Sequence, residues 1–172
     1  MDSYRPERDS CPSCHSTGNL SSHAFYDRDL IDFLHGDPVI TKIRVKRVKC
    51  SLCKHTHAIL PDLIIPYQSY GLFFILHTLA EYFSGRYTVA VLCEHFGISV
   101  STLYRWRSIF LDHKDLWLGV VSSVTSSPYD FILKLRQLDS FSSFSIGFFH
   151  LSGCSFLQLN RSYAAYSPRL PG

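Results

Sequence analysis

The residues with the most defined chemistry are two C-x-x-C pairs, Cys11-Pro12-Ser13-Cys14 and Cys50-Ser51-Leu52-Cys53, separated by 35 residues. A C-x-x-C turn sets two thiolates on one side of a tight loop, and two such loops together complete a tetrahedral Zn2+ site with Zn–S bonds of about 2.3 Å. Four thiolates close the coordination shell, so the site predicted from Cys11, Cys14, Cys50 and Cys53 is structural; a catalytic zinc keeps one position for water. A thioredoxin-like redox pair at Cys11 and Cys14 would require a preceding strand, and only ten mostly polar residues come before Cys11. Lys46, Arg47, Lys49 and Lys54 flank the second pair and favour deprotonated ligands. His15, His55 and His57 are near enough in sequence to replace a cysteine, but each reads first as an ordinary solvated or hydrogen-bonded histidine. Cys93 and Cys154 stand alone and read as small buried hydrophobes.

The second chemistry is electrostatic. The net charge of +3 conceals an uneven distribution: residues 1–40 carry three Arg against seven acids, whereas residues 41–118 carry ten Lys and Arg against five. Lys42, Arg44, Lys46, Arg47, Lys49 and Lys54 follow one another without a carboxylate, a concentration suited to phosphate or another acidic partner and equally compatible with a solvated strand face.

Elements must bring the two cysteine pairs together. Val39, Thr41, Ile43 and Val45 alternate with Ile40, Lys42, Arg44 and Lys46 at the period of two of a strand. Gly36-Asp37-Pro38 supplies a turn before it, and the aromatic and aliphatic residues of 22–33 supply a partner strand. Strand, turn and strand return the second pair to the first, the arrangement of a zinc ribbon. Downstream, Leu72, Phe73, Leu76, Leu79, Ala80 and Phe83 predict a helix over 69–83. A second helix runs from a Thr88 cap through Val91, Leu92, Cys93 and Phe96 to Gly97, and a third from Ser99 to Phe110 with Leu103, Trp106 and Phe110 inward.

Residues 89–108 have the pattern of a helix-turn-helix, with Leu92, Phe96, Ile98, Leu103 and Trp106 as core, Gly97 in the turn, and Cys93 where alanine is usual. Ser99, Ser101, Tyr104, Arg105 and Ser108 then point outward, where a recognition helix meets base edges and phosphates. Arg105 is the leading base or phosphate contact, because guanidinium pairs bidentately with guanine or phosphate. Thr102 and Tyr104 can donate to phosphate oxygens, and Arg107 and Arg86 are placed for the DNA backbone. The competing reading is a plain three-helix bundle with Arg105 solvated.

The segments CPSCH, IRVKRVKCSLCKHTHAILPDLIIPY, LCEHFGISVSTLYRW and FLDHKDLWLG together resemble a family of uncharacterised bacterial proteins, over about residues 9–120. These proteins are similar to the zinc-ribbon and helix-turn-helix front ends of insertion-sequence transposases. The resemblance implies double-stranded DNA binding linked to mobile elements, and no established reaction. His15 and Lys54 replace the glycine that often follows a zinc knuckle. Two-metal transposases hold catalytic ions with acidic residues. Here Asp130 and Asp139 are the only carboxylates after Asp115, so a complete catalytic core of that kind is excluded.

The expected fold is α+β: a small zinc-ribbon β-sheet over 8–58, a mainly helical helix-turn-helix domain over 59–120, and over 121–172 a Ser-rich linker with a poorly defined apolar C-terminal segment. Within that segment 131–138 could form a short helix, and the uncharged run 140–160 is rich in serine for a membrane span. The charged, polar N-terminus lacks the apolar core of a secretory signal, which points to the cytoplasm. The expected function is non-enzymatic: a zinc-dependent DNA-binding protein that reads a major groove with the helix from Ser99 to Phe110. Lys42, Arg44 and Lys46 serve as added contacts, with a transposase or a second copy as a further partner and no small-molecule substrate or membrane. The alternative is a protein-interaction module that docks onto a transposase or another partner.

Overall fold

The computed structural model describes residues 6–34, 37–61, 64–121, 127–136 and 138–158. The chain is α+β, with an N-terminal antiparallel sheet in the order β1-β2-β3 followed by helices. β1 (Leu20–Leu34) and β2 (Asp37–Cys50) form a long hairpin, and β3 (Thr56–Ile59) pairs with the end of β2 that carries the cysteines. Asp37 and Pro38, expected in the turn, begin β2, and Gly36 lies outside the described residues.

The predicted alternation along β2 is realised as two faces, yet the apolar one is not simply inward. Thr41 on that face is exposed, and Val45 and Val48, three residues apart and so on opposite faces, are both buried. In β1 the register shifts between Ser22 and Ala24, leaving His23 as an extra residue. That bulge reverses the parity of β1, so Leu20 and Ser22 share a face with Phe25, Asp27, Ile31 and Phe33. At one end of the hairpin this face meets helices, with Phe33 stacked on Phe74 at 4.8 Å; at the other, Leu20, Val48, Cys50 and Ile59 form a small separate core with Cys11.

α1 (Leu72–Ser84) begins three residues later than predicted and is central: Phe74 and Ile75, outside the predicted apolar set, are buried along with Leu72, Leu76 and Leu79. The chain entering it is tied to the edge of β1, where Ile31 N–H donates to the Ser69 carbonyl at 2.7 Å and Gly71 N–H to the Ile31 carbonyl at 2.8 Å. α2 (Val89–Phe96) has Thr88 as its cap, the hydroxyl accepting from Val91 N–H, and ends at Gly97 with φ of 62°. Both ends are as predicted, and Leu92, Cys93 and Phe96 are buried while Val91 is exposed. α3 (Val100–Val121) runs far past the expected stop at Phe110, because no glycine or proline interrupts residues 99–118 and Ile109, Leu111 and Trp117 continue to pack.

The described residues after α3 form more helix than predicted. α4 (Pro128–Leu135) starts at Ser127, whose hydroxyl accepts from Asp130 N–H at 3.1 Å, with Pro128 in the first turn. α5 (Leu138–Ser152) follows, and Phe156 and Leu157 turn back beneath it. Phe131, Ile132, Leu135, Phe144, Phe148, Phe156 and Leu157 belong to the same core as Leu76, Leu103 and Phe110. Residues 122–126 of the expected linker lie outside the described residues. Among the described residues no helix is long and apolar enough to cross a membrane.

Candidate metal centre and basic surfaces

The two C-x-x-C loops fold by one rule. Cys11 N–H donates to Ser16 O and His15 N–H to Cys11 O, both at 2.8 Å; Cys50 N–H donates to His55 O at 2.9 Å and Lys54 N–H to Cys50 O at 3.1 Å. Closing so tight a loop needs a left-handed residue after the second cysteine, and His15 (φ 57°) and Lys54 (φ 65°) adopt that conformation without being glycine. The missing glycines therefore leave the knuckle geometry intact, at a local backbone cost of about 1 to 2 kcal/mol each. Ser51 N–H donates to Asn19 O at 2.8 Å and joins the two loops.

Cys11, Cys14, Cys50 and Cys53 converge, their sulfurs all within 4.8 Å of one another. The Cys11–Cys53 and Cys14–Cys50 sulfurs are 3.6 and 3.7 Å apart. A disulfide would need about 2.05 Å, whereas tetrahedral ligands on bonds of about 2.3 Å stand roughly 3.8 Å apart. The group thus fits a metal ion held by four thiolates.

The surroundings favour thiolates. Cys50 is drawn down to about 6 by the backbone N–H groups of Cys53 and Leu52 and by the Ser16 hydroxyl. Cys14 is lowered first by the Ser16 hydroxyl, 3.1 Å away, and then by the Ser16 backbone N–H. Cys53 also receives a backbone N–H, from His55, but burial and the neighbouring sulfurs push it up to about 12. Sulfurs this close cannot all carry charge unless a cation sits among them, and a divalent ion removes that repulsion.

Two further residues join the site, Ser16, which the sequence does not single out, and His57, which reads first as a solvated or hydrogen-bonded histidine. Ser16 lies beside Cys14 and Cys50, and His57 Nε2 lies 3.4 Å from Cys11 Sγ. His57 stands opposite Val48 in the sheet, and burial first, then the charge of His55, holds its imidazole below the ordinary range. Neutral His57 can donate Nε2–H to the Cys11 sulfur. The C-x-x-C-x-S spacing was the available signal for Ser16; for His57 it was strand parity relative to Val48.

The basic strand is less uniform than its sequence. Lys42 stands opposite Asp29 and Arg44 opposite Asp27, so β1 offsets part of their charge; Lys46 stands opposite Phe25. Arg44 lies over the Phe25 ring at 4.9 Å. Among the described residues the ion pair within 4 Å is Lys114–Asp115, at 3.6 Å.

On α3, Ser101, Tyr104, Arg105 and Ser108 are exposed, while Thr102 and Arg107 are half-buried and Arg107 Nε is enclosed without a hydrogen-bond partner. Ser99 lies just outside the helix, its hydroxyl accepting from Thr102 N–H at 3.1 Å and bonded to the Ser101 and Thr102 hydroxyls at 2.9 Å. Capping α3 is therefore its structural role. Gln68, not singled out from sequence, anchors this helix. Its Oε1 accepts from Trp106 Nε1–H at 3.1 Å, its Nε2 donates to Leu157 O at 3.0 Å, and its carbonyl accepts from Arg28.

An antiparallel sheet that carries a four-cysteine group able to hold a metal ion, joined to a helical core, defines a class of small α+β proteins. Within that class, the chain belongs to the family described as Domain of unknown function (DUF6431), which it matches over residues 11–106, from the first cysteine to Trp106. No curated protein and no solved structure matches it significantly.

Proposed function

We propose that this chain is a non-enzymatic cytoplasmic DNA-binding protein in which Zn2+, held by Cys11, Cys14, Cys50 and Cys53, orders the sheet while the first turns of α3 read a major groove. The observation that carries this reading is the division of α2 and α3 into two sides. Leu92, Cys93, Phe96, Ile98, Leu103 and Trp106 are buried around Gly97, as in a helix-turn-helix, and Ser101, Arg105 and Ser108 recur at i, i+4 and i+7 on the exposed side beside Tyr104. Arg105 is the base or phosphate contact, Tyr104 and Ser108 hold phosphates, and the DNA is that of a mobile element or a regulated promoter. Zinc is favoured over other ions by four soft ligands at tetrahedral spacing.

The test is a titration of zinc-loaded protein against random-sequence duplexes at two salt concentrations, with Arg105→Ala and Cys50→Ser/Cys53→Ser alongside. Salt-sensitive binding, weakened by the first variant and lost in the second, is the expected result. A folded, zinc-containing protein that binds no duplex would overturn the reading. The second reading, a protein-docking module, draws on Leu52 at a knuckle tip and on Tyr67, which are 66% and 75% exposed. It predicts partner binding that salt leaves nearly unchanged.

A further inference from the structure

The sheet register separates Lys42 and Arg44 from Arg47 and Lys49, with Lys46, opposite Phe25 and Ile59, on the face of the first pair. Lys42 and Arg44 face Asp29 and Asp27. Arg47 and Lys49 do not: across β1 they stand opposite Ala24 and Ser21, and across β3 opposite Ala58 and Thr56. No carboxylate occupies any of these positions, so their charge is left uncompensated within the sheet. By strand parity both lie on the face opposite Cys50 and Val48, away from the four sulfurs.

Arg47 is also held in place. Its guanidinium lies over the Tyr26 ring at 5.9 Å, and Nη2 donates to Thr56 Oγ1 at 2.6 Å. Both Arg47 and Tyr26 are exposed, so the remaining guanidinium N–H groups face solvent in a fixed orientation. A planar donor fork with little rotamer entropy left to lose, next to a second cation, matches the chemistry of phosphodiester oxygens.

We infer that Arg47 and Lys49, backed by Tyr26 and Thr56, form a phosphate-docking face that grips the backbone of duplex DNA, in place of Lys42 and Arg44. This inference rests on the DNA-binding reading above. It assigns to the sheet a sequence-independent anchoring role, separate from base reading by α3.

Two double variants of the full-length, zinc-loaded protein test it: Arg47→Ala/Lys49→Ala and Lys42→Ala/Arg44→Ala. Binding to a random-sequence duplex is followed by fluorescence anisotropy between about 50 and about 200 mM salt. Each lost phosphate contact lowers the slope of log K against log salt by about 0.9. The first variant is expected to lower it by roughly 2 with metal content unchanged, and the second to leave it near the wild-type value. An unchanged slope in Arg47→Ala/Lys49→Ala while wild type still binds overturns the inference alone. So does metal loss in that variant without a slope change, which would mean that the two cations merely balance the thiolates. Failure of the wild-type protein to bind duplex at any salt overturns the DNA-binding reading and this inference with it.

Discussion

Cys11 Sγ has close neighbours in Cys53 Sγ and His57 Nε2, and the latter is the contact most open to mutation. An outer donor to a ligating atom fixes that ligand and tunes the metal, and its removal typically costs roughly 10- to 100-fold in metal affinity. His57→Ala should therefore retain the four-cysteine site but release zinc to a competing chelator at a concentration lower by a factor of that order. Equal retention by variant and wild type would reduce His57 to a bystander. A second residue-scale effect concerns pH. Burial, its larger cause, pulls His113 below its ordinary value of 6.5, with Asp112 opposing, and Nδ1 accepts Leu157 N–H at 3.0 Å. Because the folded state disfavours the proton, the unfolded chain binds more protons as pH falls below 6.5. The stability contributed by neutral His113 is thus complete above 6.5 and declines as pH drops through the folded value; His77, also lowered by burial, adds to the decline. His113→Asn keeps an acceptor in place of Nδ1 without titrating. Its melting temperature should fall less steeply than that of wild type in acid, and parallel curves would assign the pH dependence elsewhere.

At the scale of elements, α5 crosses α3 at Gly147. A Cβ there would stand 2.8 Å from Trp117 Cη2, too close for a rigid ring wedged near Phe144, whose centroid is 4.9 Å away. Gly147→Ala should destabilise the protein by about 1 to 3 kcal/mol, read from a denaturant midpoint. Restoration by the double variant Gly147→Ala/Trp117→Leu would tie the loss to this crossing, whereas a silent Gly147→Ala would show that α5 shifts freely on α3. The same crossing explains why the final third was poorly legible from sequence. The Phe-rich run of 141–156 has inward residues at helical spacing in Phe144 and Phe148, but serine and glycine between them dilute the period, and the surface they bury against exists only once α3 and α4 are in place. The bulge at His23 likewise reversed the alternation partway along β1, so that strand was legible from its aromatic and aliphatic content but its two faces were not.

In the molecule as a whole there are two cores of unequal size. The smaller one, Cys11, Leu20, Val48, Cys50 and Ile59, is built around two of the four cysteines, so on the zinc reading the metal contributes much of what holds this end of the sheet. The larger one takes in α1 to α5 together with Ile31 and Phe33. On the proposed zinc reading, chelating the metal from zinc-loaded protein should abolish amide protection around Val48 and Ile59 while Ile31 N–H, bonded to Ser69 O, stays protected and the helical circular dichroism persists. If helical signal is lost in step with metal removal, the molecule is one cooperative unit in which the hairpin transmits metal loss to α3, through Arg28 and Gln68.

Local chemistry alone determined the four converging cysteines, the Thr88 and Gly97 caps and the inward residues Leu103, Trp106 and Phe110, because each depends on spacing within one loop or one helix. The existence of the hairpin was equally legible from the alternation in β2. What the tertiary structure decided were relations between distant segments: Asp27 and Asp29 against Arg44 and Lys42, His57 against Cys11, Gln68 against Trp106 and Leu157, and the C-terminal aromatic residues against α3. None of these has a period or a motif. Each follows from register and helix crossing, which only the simultaneous burial of several elements selects.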